Sequence, residues 1–253
     1  MIIKGGPNIY GTAIGVLSSE SYYYKLPGHI KNTTTFDFPV TYKVIKGAFS
    51  KVIVEQKGAG LIDSFIEGAK ELEKEGVKAI TASCGFTVLF QDKLASAVNI
   101  PVFTSSLLQI PFAHKIIRKD QKVGVLVASQ KSFTIEHLKA VGAENVPVCV
   151  AGMDGKQEFS EVIIEKLRLD LDIIKLEQEV LGVVKELFDN NPIGALVIEC
   201  TDLPPFSYKI QQMIKKPVFD IATLTKYAYN CVMQPDYQKD GKYDVVYGHI
   251  VKE

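Results

Sequence analysis

The sequence predicts an α/β protein made of two pseudo-symmetric lobes, each a four-stranded parallel sheet flanked by helices. Short β-branched runs alternate with amphipathic segments of helix length, which is the pattern of βα units. The pattern also occurs twice. Cys84 closes an apolar run 17 residues before Pro101, and Cys200 closes a similar run 17 residues before Pro217. An internal duplication of one four-stranded unit explains both observations.

Eight strands are predicted from the apolar runs. Both units begin alike, with Gly-Val-Leu at 15–17 and again at 124–126. The strands predicted in the first unit are Ala13–Leu17, Lys51–Val54, Val77–Ala82 and Val102–Thr104. Those predicted in the second unit are Lys122–Val127, Val146–Val150, Ala195–Ile198 and Val218–Phe219. Parallel sheets of this kind bind ligands beyond the carboxyl ends of their strands, where both cysteines are expected to lie.

Two long helices are predicted between the strands. In residues 60–75 four apolar residues recur at spacings of three or four and form one stripe, and a glycine follows them: Leu61, Phe65, Ala69, Leu72 and then Gly76. The counterpart in the second unit runs from about Phe159 to Phe188 and ends at an Asn-Asn-Pro sequence. Each helix is expected to cover one face of its sheet.

Residues 19–38 break the alternation of strands and helices. They contain three consecutive tyrosines at 22–24 and three threonines at 33–35. Asp37 and Pro39 offer the N-cap and the first-turn proline of a short helix. A long loop in this place is either a lid or specificity loop or an ordered surface connection, and the sequence leaves both open. The tail from Gln234 to Glu253 is polar and has no role that the sequence assigns.

Composition excludes several classes of partner. The chain has 253 residues, with 29 Lys plus Arg against 29 Asp plus Glu, so no charge excess favours nucleic acid or an anionic membrane. No secretory leader or apolar run of spanning length is visible, and a soluble cytoplasmic protein is expected. The four cysteines are too few for a disulfide scaffold, and no cluster has zinc-ligand spacing, so we expect no metal ion.

The paired cysteines are the strongest functional signal. Cys84 and Cys200 each leave a strand and precede a predicted helix, whose N-terminus would favour thiolate and attract a carboxylate. One thiolate could remove the α-proton of a carboxylic acid while the other thiol returns a proton on the opposite face. An isolated cysteine at a strand end is usually a small buried residue. That reading stands for Cys149 and Cys231, but symmetric placement weakens it for the pair.

The duplicated units, with a cysteine after the third strand of each, resemble the aspartate/glutamate racemase superfamily, whose members work without pyridoxal phosphate. The resemblance implies that no cofactor is needed. The resemblance implies that residues 1–105 with 220–253 form the first lobe and residues 106–219 the second. It implies an active site between the lobes, with Cys84 and Cys200 as the acid/base pair. It also implies a small carboxylate substrate, and homodimers are frequent in the family.

Further site residues follow from the resemblance and from adjacency to the two cysteines. Thr201 matches the threonine that often follows the second cysteine, and Ser129 and Ser132 lie where the family commonly holds a carboxylate. The sequence departs from the amino-acid racemases after the first cysteine, where Gly85 and Phe86 replace Asn and Thr. The expected substrate-binding residues are Ser18, Ser83, Gly85, Phe86, Thr87, Ser129, Ser132 and Thr201.

These features predict a cofactor-independent racemase or epimerase of a small carboxylic acid, with an amino acid as the first candidate. Within the superfamily the alternatives are a maleate-type cis-trans isomerase, in which one cysteine adds to the double bond, and a malonate-type decarboxylase. A decarboxylase would leave the second thiol idle. Outside it, the alternatives are a non-catalytic protein that binds a small acid between its lobes and a protein in which both cysteines only pack.

Overall fold

Two parallel sheets form the centre of the molecule in a computed structural model that describes residues 5–7 and 10–235. The first sheet has the order β2-β1-β3-β4, and the second has the matching order β6-β5-β7-β8. The strands are β1 (Ile14–Glu20), β2 (Val40–Phe49), β3 (Ala79–Ala82), β4 (Val102–Phe103), β5 (Lys122–Val127), β6 (Val148–Gly152), β7 (Ile193–Ile198) and β8 (Val218–Phe219). All pairings are parallel. The predicted fold class, two four-stranded α/β lobes, is confirmed.

Helices surround both sheets. Those before the second sheet are α1 (Ser50–Glu55), α2 (Ile62–Lys74), α3 (Gln91–Ala97) and α4 (Ile110–Lys115), with 3-10 helices at Gly85–Phe90 and Ser106–Gln109. Those that follow are α5 (Ile135–Lys139), α6 (Gln157–Phe159), α7 (Ile173–Asp189), α8 (Ser207–Ile214) and α9 (Ile221–Val232), with a π-helical turn at Ser160–Ile164 and a 3-10 helix at Pro204–Phe206. Among the described residues, none of these helices is both long and apolar enough to cross a membrane.

Helix α2 shows how the sequence specifies the packing. Its buried residues are Phe65, Gly68, Ala69 and Leu72, which share one face. Leu72 approaches the central strand where Gly15 leaves room for it, since a Cβ on Gly15 would lie 3.0 Å from a Leu72 methyl carbon. Gly76 then adopts a φ of 88°, the left-handed conformation that ends many helices.

The second predicted strand of the first lobe was placed wrongly. Lys51–Val54 lies in α1, and the strand that pairs with β1 is β2, which begins at Val40. The short helix predicted at Asp37 and Pro39 is therefore absent as well. Strand β2 lies at the edge of its sheet and is largely half-exposed, so its lysines hide the apolar pattern. A four-residue apolar run such as 51–54 cannot distinguish a strand from a helix by periodicity.

The long helix predicted over Phe159–Phe188 is interrupted. Its helical part α7 begins only at Ile173, where the Asp172 side chain accepts hydrogen bonds from two backbone N–H groups. Upstream, Lys166 has a φ of 57°, which a continuous helix does not allow. Arg168 there binds the buried carboxylate of Glu158 at 2.6 Å.

Helix α9 follows the second sheet in the chain but packs on the first. Ile221 joins a buried cluster with Ile14, Val16 and Phe103, and Tyr229 stacks on Phe38 with ring centroids 3.7 Å apart. The predicted lobes, 1–105 with 220–253 and 106–219, stay a prediction because residues 236–253 lie outside the described residues. The tail discussed for Gln234–Glu253 lies almost entirely there.

Candidate active site

Cys84 and Cys200 line one cleft between the lobes. Each follows the third strand of its own lobe, with β3 ending at Ala82 and β7 ending at Ile198. The empty space at the cleft, including the part that is open to solvent, is about 370 Å³. The duplication predicted from the spacing of the cysteines thus brings two thiols to one cavity.

Hydrogen bonds tie the ends of these two strands together. The Thr201 hydroxyl donates to the Ser83 carbonyl oxygen at 2.6 Å, and the Ser106 hydroxyl donates to the Ile198 carbonyl oxygen at 2.5 Å. The Ser83 hydroxyl in turn accepts from the Ser19 backbone N–H at 2.8 Å. All of these groups are buried, so the bonds fix the backbone on which the cysteines lie.

Asp202 is the centre of a second set of hydrogen bonds. Its Oδ1 accepts from the Tyr23 hydroxyl at 2.5 Å and lies 2.9 Å from His29 Nε2, while the Cys200 thiol donates to Oδ2 at 3.8 Å. The Lys31 backbone N–H donates to His29 Nδ1 at 2.8 Å. His29 therefore carries its proton on Nε2 and donates it to Asp202.

The charge of Asp202 follows from these partners. Burial on its own would raise the pKa of this carboxyl, but His29, Lys25 and the Tyr23 hydroxyl outweigh burial and hold the pKa well below its usual range. The pKa of His29 is lowered, because burial disfavours its charged form more than Asp202 favours it. At neutral pH the site therefore contains an ionised Asp202 that is bound by neutral donors.

The segment between β1 and β2 covers the cleft and reaches the other lobe. It supplies Tyr23, His29 and Lys31 to the cleft lining. Gly28 adopts a φ of 101°, and a Cβ there would lie 2.9 Å from the Pro205 Cα atom. Residues 19–38 therefore contribute to the cleft wall, and their role as a lid or specificity loop stays a prediction.

Glu199 lies beside the cysteines and is almost fully buried, with 1% exposure. Its Oε2 accepts a hydrogen bond from the Ala128 backbone N–H at 3.0 Å, whereas Oε1 has no partner within the described residues. Burial raises the pKa of Glu199 to about 8, and the negative charge of Asp202 adds to this effect. Gly85 makes room for this side chain, because a Cβ at residue 85 would lie 2.3 Å from Oε1.

The thiols do not have the lowered pKa that the sequence predicted. Burial raises the pKa of Cys84 far above its usual range, and Glu199 adds to the shift. Burial and the charge of Asp202 do the same for Cys200. A six-residue 3-10 helix follows Cys84 and only a turn follows Cys200, so no long helix dipole offsets the loss of solvent. In the unliganded protein both cysteines are thiols.

Only some of the predicted binding residues line the cleft. Ser83, Gly85 and Thr201 do so. Of the others, Phe86 packs edge-on against Phe133 and His137, which agrees with a role in packing. Those that lie behind or away from the lining are Ser18, Phe86, Thr87, Ser129 and Ser132.

Their hydrogen bonds explain why the remaining hydroxyls are turned away from the cleft. The Ser18 hydroxyl donates to the Ser19 carbonyl oxygen, and the Thr87 hydroxyl donates to the Cys84 carbonyl oxygen at 2.5 Å. The Ser129 hydroxyl bonds to Asp154 at 2.8 Å and accepts from the Ser132 N–H. Thr87 therefore supports the backbone under Cys84, and the two serines order a neighbouring loop.

Five titratable residues of the cleft lining were missed in the sequence. Tyr23, His29 and Lys31 belong to the long segment whose role was left open, and Glu199 and Asp202 flank Cys200. Adjacency to a candidate catalytic cysteine was a usable signal for the last two. Within the described residues, no group of three or more His, Cys, Asp or Glu side chains could hold a metal ion.

Comparison with known proteins identifies the family and corrects the expected reaction. The profile of the family described as Asp/Glu/Hydantoin racemase matches residues 13–225. The solved aspartate racemase of Picrophilus torridus superposes with a TM-score of 0.56 at 13% identity, covering 87% of this chain and 94% of that one. At that identity the likeness shows the fold alone.

The relatives that are similar in sequence are named as lyases and not as racemases. A dimethylsulfoniopropionate lyase of Durusdinium sp. clade D is 30% identical, over 85% of this chain and 73% of its own length. Dimethylsulfoniopropionate lyase 7 of Emiliania huxleyi is 29% identical, over 83% of this chain and 64% of its own length. The prediction of a racemase or epimerase is therefore wrong, because these relatives are lyases. At the level that the fold and the sequence profile establish, the chain belongs to the Asp/Glu/Hydantoin racemase family.

Proposed function

We propose that this protein is a carbon–sulfur lyase that converts dimethylsulfoniopropionate into dimethyl sulfide and acrylate. The observation that carries the proposal is the 30% identity to a dimethylsulfoniopropionate lyase over 85% of the chain. The aligned part amounts to 73% of that enzyme and 64% of the E. huxleyi enzyme, so the activity is carried over to this chain as a proposal. The cleft supports it with groups suited to proton abstraction beside a carboxylate.

The reaction needs one base. A thiolate of Cys84 or Cys200 accepts a proton from the carbon next to the substrate carboxylate, and the electron pair of that C–H bond forms the new double bond. The bond from the β-carbon to sulfur breaks, and its electron pair leaves with neutral dimethyl sulfide. Acrylate and a protonated thiol remain. Because no proton returns to carbon, the second cysteine need not ionise and can stay a hydrogen-bond donor.

The charges of the cleft fit the two ends of this zwitterion. Lys31 donates through Nζ to the Ser19 carbonyl oxygen at 3.0 Å and to the Ser21 hydroxyl, which leaves one of its three N–H groups for a substrate carboxylate. Ionised Asp202 offers the opposite charge to the sulfonium group. The two charges would thus orient the substrate along the cleft.

Substrate binding would also lower the high pKa of the two thiols. Loss of solvent and nearby negative charge raise the pKa of both Cys84 and Cys200. A bound sulfonium places a positive charge in the same buried space and favours thiolate. The base would therefore form in the complex with its substrate. Ser83, Gly85 and Thr201 would complete the wall around the substrate.

The test is to incubate the purified protein with dimethylsulfoniopropionate and to measure dimethyl sulfide in the headspace and acrylate by proton NMR. We expect the two products in equal amounts at a rate proportional to enzyme. A double variant, Cys84→Ala with Cys200→Ala, serves as the control for uncatalysed elimination. Release no faster than in that control would overturn the proposal.

A further inference from the structure

One carboxyl oxygen of Glu199 has no hydrogen-bond partner among the described residues. Its side chain is 1% exposed, and Oε2 already accepts the Ala128 N–H. Oε1 lies beside Gly85, which lines the same cleft as both cysteines, and has no partner within the described residues. A buried polar atom without a partner is costly, so its presence at a cavity wall points to a ligand group that completes it.

We infer that Glu199 carries a proton and donates it in a hydrogen bond from Oε1 to the carboxylate of the substrate. This assignment rests on the proposed function and adds a substrate-contacting residue to it. A protonated carboxyl can use one oxygen as acceptor and the other as donor, which matches Oε2 on the Ala128 N–H and an unpaired Oε1 beside Gly85 in the cleft wall. A sulfonium group offers no good acceptor, so the donor must face the carboxylate end.

The surroundings of Glu199 favour its neutral form. The side chain has no cationic partner among its hydrogen bonds. Burial and Asp202 raise its pKa to about 8, and they outweigh the backbone N–H groups of Ala128 and Phe86, which lower it. The Phe86 N–H does not reach hydrogen-bond geometry with Oε1. The groups that share the cleft with it are the thiols of Cys84 and Cys200, the Asp202 carboxylate, the Tyr23 phenol, the His29 imidazole and the Lys31 ammonium. A second carboxylate here would repel the substrate carboxylate and the thiolate base.

A neutral donor at this position also suits the transition state. When the α-proton leaves, negative charge moves onto the carboxylate oxygens. A hydrogen bond from a buried carboxylic acid strengthens as that charge develops. Ionised Glu199 would have the reverse effect, since its charge raises the pKa of Cys84 and of Cys200.

The experiment compares Glu199→Gln, Glu199→Met and the control Glu186→Gln, which removes one exposed carboxylate from α7. The amide of Glu199→Gln can still accept from Ala128 and donate into the cleft, so we expect kcat/KM about 10-fold lower at neutral pH. The apolar side chain of Glu199→Met should lower kcat/KM by about 100-fold. Thermal unfolding of each variant confirms that it is folded.

The pH profile separates the assignment from a structural role. In the wild type we expect kcat/KM to fall above a pH of about 8, as Glu199 ionises. That fall should be absent in Glu199→Gln and unchanged in Glu186→Gln. A Glu199→Gln profile that keeps the fall would overturn the inference. So would loss of all activity in Glu199→Gln, which would make ionised Glu199 the base.

A binding measurement keeps this test independent of turnover. Propionate has the carboxylate of the substrate without its leaving group. Calorimetry above pH 8, in two buffers of different ionisation enthalpy, should show that wild type takes up a proton on binding propionate and that Glu199→Gln does not. If this result appears without lyase activity, the proposed function fails and the carboxylate contact stands. If lyase activity appears without proton uptake, the contact fails alone.

Discussion

Ser83 and Thr201 are joined by a hydrogen bond of 2.6 Å across 118 positions of the chain, from the Thr201 hydroxyl to the Ser83 carbonyl oxygen. Each is next to a cysteine in the sequence. The bond therefore connects the two halves of the site directly, through the backbone that carries the thiols. It also provides the buried Ser83 carbonyl group with a hydrogen-bond donor.

Replacing Thr201 by Val should weaken this connection. The shape of the side chain is kept while the Ser83 carbonyl loses its donor, so we expect a loss of about 1–2 kcal/mol in the free energy of unfolding. Thr201→Ser keeps the hydroxyl and should lose less than half as much. Urea denaturation measures both. Equal losses in the two variants would show that the methyl group matters and the hydrogen bond does not.

The two cleft cysteines should both contribute to lyase activity, but unequally. A general base contributes about 10²- to 10⁴-fold to a proton transfer, so the alanine variant that removes the base should lower kcat at least about 100-fold. The other alanine variant removes only a hydrogen-bond donor and should lower kcat about 10-fold. Cys231→Ser provides the matched control, since Cys231 is exposed on α9, where the prediction that it is buried was wrong. The assay is release of dimethyl sulfide. Full activity in either cleft variant would remove that residue from the mechanism.

The rate at which iodoacetamide alkylates each cysteine should depend on the burial and the pKa of its thiol. Iodoacetamide reacts with thiolate, and burial raises the pKa of Cys84 and Cys200, whereas Cys231 is exposed. Peptide mapping by mass spectrometry at neutral pH should find Cys231 modified first in the unliganded protein. Preferential modification of Cys84 or Cys200 would contradict the protonated state that the structure gives them.

Gly85 should not tolerate a side chain. A Cβ at this position would lie 2.4 Å from the Glu199 carbonyl oxygen, and the Glu199 backbone is held in place because its N–H donates to the Leu126 carbonyl oxygen at 2.8 Å. Gly85→Ala should lower the free energy of unfolding by about 2 kcal/mol or more. Gly182→Ala is the control, because a Cβ there meets nothing within 4 Å in helix α7. It should stabilise the protein by about 0.5–1 kcal/mol.

His137 should make the protein less stable in mild acid. Burial lowers its pKa to about 4, so the unfolded chain, with an ordinary pKa near ~6.5, binds more protons below that pH. The stability contributed by neutral His137 is complete above pH ~6.5 and falls by about 3 kcal/mol as the pH reaches ~4. Urea denaturation at several pH values measures the slope.

A glutamine variant isolates the contribution of His137. His137 Nδ1 accepts the Thr134 N–H at 3.1 Å, and glutamine is the usual partner at this position of a helix start. His137→Gln should keep that bond and reduce the acid slope, with the remainder due to His29, whose pKa is also lowered by burial. An unchanged slope in His137→Gln would show that other groups cause the acid sensitivity.

The sequence predicted the parts of the site that repeat. Cys84 and Cys200 occupy equivalent strand ends, and the equal distances of 17 residues to Pro101 and Pro217 were enough to predict that both lie at one cleft. The contacts of Asp202 could not be obtained in this way. His29 lies 173 positions away and Tyr23 lies 179 positions away, in a segment with no counterpart in the second half. Such pairs depend on the packing of the two lobes.

The error in the fold arose because a short apolar run can form either a strand or a helix. The error in function arose because one protein family can catalyse several reactions. Residues 51–54 form a short apolar run that burial in α1 satisfies as well as a strand would. The predicted reaction, racemisation, was wrong for another reason. Proton abstraction next to a carboxylate precedes both racemisation and elimination, so two cysteines indicate the first step and leave the fate of the carbanion open.

The two halves of the site share a scaffold but differ in polarity. Ser83 precedes the first cysteine where Glu199 precedes the second, and Phe86 stands where the other half has Asp202. Because only the half of the site with Cys200 offers a carboxylic acid, that of Glu199, the substrate can bind in one orientation only. Its methylene group next to the carboxylate then presents one prochiral hydrogen to the base. Elimination from substrate that is stereospecifically deuterated at this carbon should therefore retain or lose the label completely, according to which hydrogen is replaced.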